Sequence, residues 1–538
     1  MEVTAPRPGG SAAGFAMMCL GMFMAVLDVQ VVATSIPTIE QALQAPADRI
    51  SWIQTAYLIA EVIAIPLTGW LTRMLSMRWL FVAAIAIFTL SSAGCALSRD
   101  LPGLMGWRVV QGLAAGTLIP SVFSAVFLLF PKRRQALATT VAGVLAVLAP
   151  TVGPIVGGWI TETYSWHWLF LINLAPGAVA AVFAAALLPR EAARWREARS
   201  LDWLSLALMA LALAALEIAL KEAPRRGWLS PAILGMAATT VGAGAAFGVR
   251  TLKARHPLVD LRAFANRDFS LGCLLSFILG GGLFGSVYLM PVFLGAVRGY
   301  GALATGEVML ATGLAQLATA PLAVALERRT SPRALSAFGF ALFALGLGMS
   351  TRETIHTGFA EMLWPQIVRG VAIMFCLLPP TRMALGHLAE DSIADASGLF
   401  NLMRNLGGAI GLALIDTVLY GRAPHHARAI GTQLRAGDID TAKAVGIPLK
   451  LFALRVSGPI DSATRAMLQP MISRLAFARA ANEAWAMLAL LTAGALVGLA
   501  LAAPPRRERR RSGGDQPCVL PIPPLRPSPR RTREGAWR

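Results

Sequence analysis

The sequence predicts an all-α integral membrane protein of fourteen helices, arranged as two six-helix halves with two helices inserted between them. Three observations carry that reading. Of 538 residues, 56% are hydrophobic and only 14% charged, with a mean hydropathy of +0.61, whereas soluble domains carry roughly 25% charged residues. The apolar residues are gathered into fourteen runs of about 20, each long enough to cross the roughly 30 Å of a bilayer core. Short matches between the two ends of the chain suggest an internal repeat.

In chain order the runs cover 14–37, 51–72, 78–98, 103–130, 136–160, 168–189, 203–221, 230–249, 269–294, 304–326, 333–350, 360–381, 393–419 and 482–503. Residues 1–13 form a leader; the run behind it is too long for a cleaved signal. The N-terminal half spans 14–189, the inserted pair and its loops 190–268, and the C-terminal half 269–503, with a long polar loop at 420–480. A tail follows at 504–538. Lys and Arg in alternate short loops, edges included, divide 18 against 7. By the positive-inside rule the richer set is cytoplasmic, so both termini are expected inside and the 420–480 loop outside. The tail, with ten arginines from Arg506 to Arg538, reads as a disordered segment at an anionic lipid surface or simply as a topology determinant. It has no folded reading surface, so no nucleic-acid partner is expected.

The repeat pairs Pro66-Leu67 and Arg78 with Pro321-Leu322 and Arg333, 255 residues on, and Gln111-Gly112 with Arg369-Gly370, 258 residues on. Two halves of the same topology place a substrate site between them near the midplane and suit alternating access. No enzyme is expected: there is no nucleophile–base pair or phosphate loop. Cys19, Cys95, Cys273 and Cys376 are scattered through the spans and Cys518 lies in the tail, without a CxxC pair. No metal, cofactor or disulfide framework is therefore expected.

Three intramembrane features point to chemistry. Asp28 in the first helix and Glu61 in the second lie near the middle of their spans, where an ionisable residue is a functional candidate. Arg108, Gln111 and Gly112 share one face of the fourth helix, and a buried arginine must face a cavity or a partner, hence the bundle interior. In the fifth helix Gly143, Ala146, Pro150, Gly153 and Gly157 recur every three or four residues, with Pro154 and Gly158 beside them. Small residues allow close helix approach and prolines bend the helix, so this is read as a gating helix. Glu217, Glu307 and Asp416 are read as snorkelling to the interface. Gln30, Arg369, Asn401, Arg404 and Asn405 are candidate cavity side chains. If Arg108, Arg369 and Arg404 face the same interior as Asp28 and Glu61, the balance is positive and favours amphipathic weak acids or neutral compounds over permanent cations.

These residues carry a family resemblance. GPIVGG at 153–158 behind Pro150 and Gly143, with Arg108-x-x-Gln111-Gly112, resembles the antiporter and helix 4 motifs of the major facilitator superfamily. LDVQVVATSIP at 27–37, SWIQTAYLIAEVIAIPLTGWL from 51, WHWLFLINLAPG at 166–177, ASGLFNLMRN at 396–405 and ANEAWAM at 481–487 resemble its fourteen-helix drug:proton antiporters, the EmrB/QacA type. The resemblance, closest to EmrB-like permeases, implies proton-driven export of hydrophobic or amphipathic compounds across a bacterial inner membrane. It also implies a periplasmic membrane-fusion adaptor and an outer-membrane channel as partners, and carries over Asp28; from their own positions in the spans, Glu61 and Arg108 are expected to share in proton coupling with it. A substrate:proton symporter is the nearest alternative; a membrane sensor or enzyme is a more distant one. Two departures stand out. Gln30 and Ala33 replace Thr and Asn of the first-helix signature. In GWLTRMLSMR at 69–78 Arg73 stands where the superfamily has an acid, so the gate ion pair which that loop implies lacks its usual acid. The 420–480 loop suits adaptor docking, and its SATRAMLQPMISRLAFARA stretch equally suits an interfacial helix lying on the membrane.

Overall fold

The computed structural model describes residues 8–44, 50, 52–190, 193–195, 201–254, 257–448, 450, 452 and 462–501. The first half of the expected leader, the Arg-rich tail, His256 and Cys518 lie outside these residues. Among these residues fourteen long helices appear in the expected order: α1 (Pro8–Leu43), α2 (Trp52–Leu75), α3 (Met77–Ala96), α4 (Leu101–Leu129), α5 (Lys132–Thr163), α6 (Trp168–Leu187), α7 (Trp203–Arg226), α8 (Pro231–Lys253), α9 (Arg267–Phe293), α10 (Ala302–Glu327), α11 (Pro332–Met349), α12 (Phe359–Leu385), α13 (Glu390–Ala436) and α14 (Ser462–Leu501). Thirteen are long and apolar enough to span a membrane as they stand. The fourteenth, α5, bends by 41° between Lys132–Pro150 and Val152–Thr163, as two prolines without amide donors would cause. Helix starts are fixed locally: the Asp100 carboxylate accepts from the Gly103 amide and the Asn266 side chain from those of Asp268 and Phe269, satisfying orphan donors of α4 and α9.

The halves repeat one packing pattern. In the first, α1 packs on α5 and α6, α3 on α4 and α6, and α2 on α4; in the second, α9 packs on α13 and α14, α11 on α12 and α14, and α10 on α12. The repeat is visible at atomic scale. A Cβ on Gly112 would sit 2.3 Å from the Tyr57 carbonyl oxygen, and one on Gly370 2.4 Å from that of Thr312. Tyr57 and Thr312 are 255 positions apart, the offset already seen between Pro66 and Pro321. The two glycines do the same work in both halves: only a residue without Cβ lets α4 meet α2, and α12 meet α10, at this distance.

The halves join chiefly through α2 and α4 against α13, and through α5 against α10 and α12. On the face bearing the basic loops, Arg73 forms an ion pair with Asp395 of α13, and the Ser397 hydroxyl donates to the Pro120 carbonyl at 2.8 Å. The loop that lost its acid thus keeps an inter-half ion pair, with the base on α2 and the acid on α13. Of the inserted helices, α7 packs on α2 and α13, while α8 leans mainly on α7. Arg250 clamps their hairpin by a two-pronged contact with Asp202 at 2.6 and 3.0 Å, which holds that carboxyl well below the usual aspartate range.

One expectation needs correction. Most of the described residues within 420–480 are helix, not loop. At 1.5 Å per residue, the 47 residues of α13 and 40 of α14 reach about 70 and 60 Å, roughly twice the bilayer core. Their extensions pair through a small core of Ile430, Leu434, Leu475 and Ala476, joined by Ala442 and Val445 of a short helix, Ile439–Val445. The SATRAMLQPMISRLAFARA stretch is therefore the first half of α14, stacked on α13, and not a helix lying on the membrane. Hydropathy marks where a helix enters lipid, not where it ends.

Candidate functional site

The N-terminal half buries one connected polar cluster. Asp28, midway along α1, is 2% exposed, and Arg108 of α4 is fully buried. Arg108 Nη1 forms an ion pair with Asp28 Oδ2 and also donates to Gln111 Oε1 at 2.7 Å. Asp28 Oδ1 accepts from Asn173 Nδ2 at 2.8 Å and from Gln111 Nε2 at 3.2 Å. Gln111 Nε2 also lies 2.7 Å from the Ser92 hydroxyl. The Arg108 guanidinium lies 4.1 Å from the centre of the Tyr57 ring, and its Nε faces the Ile53 carbonyl at 3.5 Å. Five helices, α1, α2, α3, α4 and α6, therefore contribute to this cluster.

Glu61, on α2, is also buried and within electrostatic reach of Asp28, Arg108 and Glu217. Glu217 thus departs from the snorkelling expectation: α7 packs on α2 and turns this acid towards Glu61. Asp416 departs too, since the Tyr288 hydroxyl donates to it at 2.8 Å. Glu307 is exposed.

The C-terminal half is built differently at the matching place. RVVQG at 108–112 is answered by QIVRG at 366–370, with arginine and glutamine exchanged. Arg369, 2% exposed, stacks 4.7 Å from the centre of the Trp485 ring and donates through Nε to the Pro365 carbonyl of its own helix at 3.3 Å. Trp485 Nε1 in turn donates to Glu353 Oε2 at 3.1 Å, in the turn between α11 and α12. Burial pushes the Glu353 carboxyl up to about 7, against the opposing pull of Arg369 and the Trp485 hydrogen bond.

The three arginines do not share one site. Arg404 of α13 donates to Asn401, which is anchored to the Ser397 carbonyl at 2.8 Å, and its guanidinium sits 5.2 Å from the Phe123 ring centre across the inter-half seam. Asn405 is half-buried. The pooled positive balance expected from the sequence therefore divides into a neutral pair at Arg108 and two separately housed cations.

The α5 residues contact both halves. Gly153 takes the Gln30 side chain of α1, where a Cβ would stand 2.4 Å from Gln30 Cβ, and Gly143 takes Leu377 of α12. The Gly143 carbonyl faces Gln316 Nε2 of α10 at 3.5 Å. Pro150, Pro154, Gly157 and Gly158 are buried in the same helix. Sequence reasoning missed Tyr57, Ser92, Asn173, Glu353 and Trp485 as members of polar clusters. Tyr57, Asn173 and Trp485 lie in stretches that already carried the resemblance, and the adjacent Ser91 and Ser92 were a polar break in an apolar run.

Comparison with known proteins agrees with this architecture. The family model described as Major Facilitator Superfamily matches residues 18–412. The chain is 39% identical over 406 residues to the colistin resistance protein EmrB of Acinetobacter baumannii, covering 75% of this chain and 79% of that protein. It is 32% identical over 422 residues to the multidrug export protein EmrB of Escherichia coli, covering 76% and 81%, and 30% identical over 428 residues to the fatty acid resistance protein FarB of Neisseria gonorrhoeae, covering 79% and 84%. Among solved structures, the human organic anion transporter MFSD10 (TETRAN) shares the fold with a TM-score of 0.55 at 15% identity, covering 90% of this chain and 99% of that one. With its repeated six-helix halves, its buried intramembrane ion pair and these relatives, the chain belongs to the Major Facilitator Superfamily, as an EmrB-like efflux permease.

Proposed function

We propose that this transporter, which is not an enzyme, exports hydrophobic or amphipathic compounds in exchange for protons, with Asp28 as the coupling carboxylate. The buried Asp28–Arg108 pair carries this reading. Two unit charges about 4 Å apart attract by roughly 4 kcal/mol at an effective dielectric near 20. A proton on Asp28 removes that attraction and turns one acceptor oxygen into a donor, so Arg108, Gln111 and Asn173 must rearrange. Because these groups come from α1, α4 and α6, proton arrival biases the packing of the whole half, which is how a local charge change shifts an alternating-access equilibrium. Glu61, with Glu217 beside it, is a second acid on the same route. The bent α5, seated on α1 on one side and on α10 and α12 on the other, is the element that transmits the change.

The relatives' roles in multidrug export, colistin resistance and fatty acid resistance support efflux of amphipathic molecules. The 18-to-7 division of basic residues supports a bacterial inner-membrane topology with both termini cytoplasmic. The extended α13–α14 hairpin then stands on the periplasmic side, where it offers a membrane-fusion adaptor, linked to an outer-membrane channel, a rigid surface. The test follows a fluorescent amphipathic substrate in cells with and without the chain, before and after the proton gradient is collapsed. Lower accumulation that disappears with the gradient is expected. Higher accumulation in the presence of the chain would show a symporter, and efflux indifferent to the gradient would refute proton coupling.

A further inference from the structure

We infer that the groove between α7 and α8, at the ends that carry the basic loops, is a binding site for an anionic glycerophospholipid: its phosphate sits at Arg250 and Lys253, and the top of an acyl chain lies between the two helices. The site is on the lipid-facing flank of the bundle, apart from the polar clusters described above.

The inserted hairpin leaves one helix with little protein to cover it. α8 leans mainly on α7 and, more lightly, on the single turn Leu261–Ala265. A Cβ added at Gly235, Gly242 or Gly248 would meet nothing within 4 Å, so these faces of α8 are turned to lipid. Where α8 meets the first turns of α7 a groove of about 730 Å³ opens, walled by Leu204, Leu208, Ala245 and Val249. Leu204 and Val249 are 53% and 54% exposed, apolar surface that a lipid chain can cover. At 1.5 Å per residue the stretch from Asp202 to Leu208 is about 9 Å long, the depth of the boundary between headgroups and acyl chains. Trp203, beside the mouth and 72% exposed, stands where tryptophans mark the membrane–water interface.

Polar groups gather at one end of the groove only. Arg250 is fixed there by its contact with Asp202 through Nε and Nη2, and its Nη1 makes no hydrogen bond among the described residues. Lys253, exposed and one turn further along α8, forms no ion pair or hydrogen bond among them. Asp202 and Arg250 cancel, so Lys253 leaves the mouth with one net positive charge. Arg262 lies behind it, donating to the Leu252 carbonyl at 3.2 Å, and its charge is offset by Asp260, whose carboxylate accepts from the Arg262 amide at 3.1 Å. A phosphodiester carries the matching single negative charge, and a guanidinium already held in place loses little freedom in binding it. Phosphatidylcholine brings the same phosphate together with a quaternary ammonium that Lys253 repels. Bases at one end and aliphatic surface along the rest are what an anionic lipid anchored by its head requires. The lipid completes the packing of α8 that the protein leaves open.

The probes are phosphatidylglycerol and phosphatidylcholine with the same acyl chains, and glycerol 3-phosphate as the free headgroup. Lipid retained by the full chain, purified in detergent, is measured by native mass spectrometry. The parent should hold phosphatidylglycerol about fivefold more tightly than phosphatidylcholine, the scale of one basic residue facing an anionic headgroup. Lys253→Gln should remove that preference by weakening phosphatidylglycerol, with phosphatidylcholine within about twofold of the parent, and Lys253→Arg should keep it. Val249→Trp fills the groove without changing its charge and should weaken both lipids together. Lys132→Gln removes an exposed base at the start of α5, elsewhere among the basic loops, and should leave the preference within about twofold. Equal retention of the two lipids by the parent overturns the site, as does phosphatidylglycerol binding that is unchanged in either Lys253→Gln or Val249→Trp. A loss in Lys132→Gln as large as in Lys253→Gln assigns the preference to the whole basic face and overturns the groove. Displacement of phosphatidylglycerol by millimolar glycerol 3-phosphate makes this a site for free phosphate esters and overturns the lipid assignment.

Discussion

The N- and C-terminal halves share a backbone plan and differ in how they fill it. Gly112 and Gly370 make the same close approach to a neighbouring helix. Arg108 is bound to Asp28, whereas Arg369 rests on Trp485 and its own helix. The difference teaches that one repeated backbone can house a buried arginine in two ways: with arginine and glutamine exchanged within the motif, the first is paired with a carboxylate and the second lies on an indole ring.

The largest expected effect breaks the comparison at its polar centre. Arg108→Met leaves Asp28 buried and unpaired, which typically costs about 3–5 kcal/mol, whereas Arg369→Met orphans no directly paired carboxylate and should cost about 2 kcal/mol or less, the scale of a desolvated cation–π contact. Thermal unfolding of the purified variants compares the two. Equal losses would mean that the halves house their arginines alike. The scaffold, by contrast, should respond symmetrically. Gly112→Ala and Gly370→Ala each force a Cβ against a carbonyl oxygen and should each cost about 1–3 kcal/mol, while Gly421→Ala, with nothing within 4 Å, should stay within about 0.5 kcal/mol. A large disparity between the first two would argue that one half is packed more loosely than the structure has it.

A smaller effect concerns Glu353. Its folded-state value near 7 exceeds the ordinary 4.5, so the folded chain holds a proton that the unfolded chain has lost between those values. Stability should therefore be greatest below about pH 4.5 with respect to this group and decline as pH rises through 7. The loss amounts to about 1–3 kcal/mol. Glu353→Gln should flatten that part of a stability–pH profile, and an unchanged slope would assign it to other groups.

Much of this was legible in the sequence because lipid imposes simple rules. Runs of apolar residues had to be helices, and Asp28 and Arg108, too costly to face hydrocarbon, had to turn inward. Their pairing was not legible, since residues 80 positions apart meet only through the packing of α1 on α4. The same holds for Arg73 and Asp395, where loss of an acid from a familiar loop concealed a base paired across the seam. Glu217 misled because its height along α7 suggested the interface, while its direction is set by α2. The α13–α14 hairpin was read as a loop because a helix that leaves the membrane loses its apolar signature and not its hydrogen bonds.

Proton coupling through Asp28 requires this carboxyl to lose and regain a proton. Asp28→Asn keeps the size and a carbonyl acceptor for Arg108 but removes the titration, so it isolates that property. The measurement is uphill export by the purified variant in proteoliposomes under an imposed proton gradient, beside parent protein at equal incorporation. The expected result is normal insertion, a lowered thermal midpoint because Arg108 keeps a hydrogen-bond acceptor but loses its counter-charge, substrate exchange at equilibrium, and loss of gradient-driven accumulation. Unimpaired uphill transport by Asp28→Asn would contradict the assignment and move proton coupling to another acid.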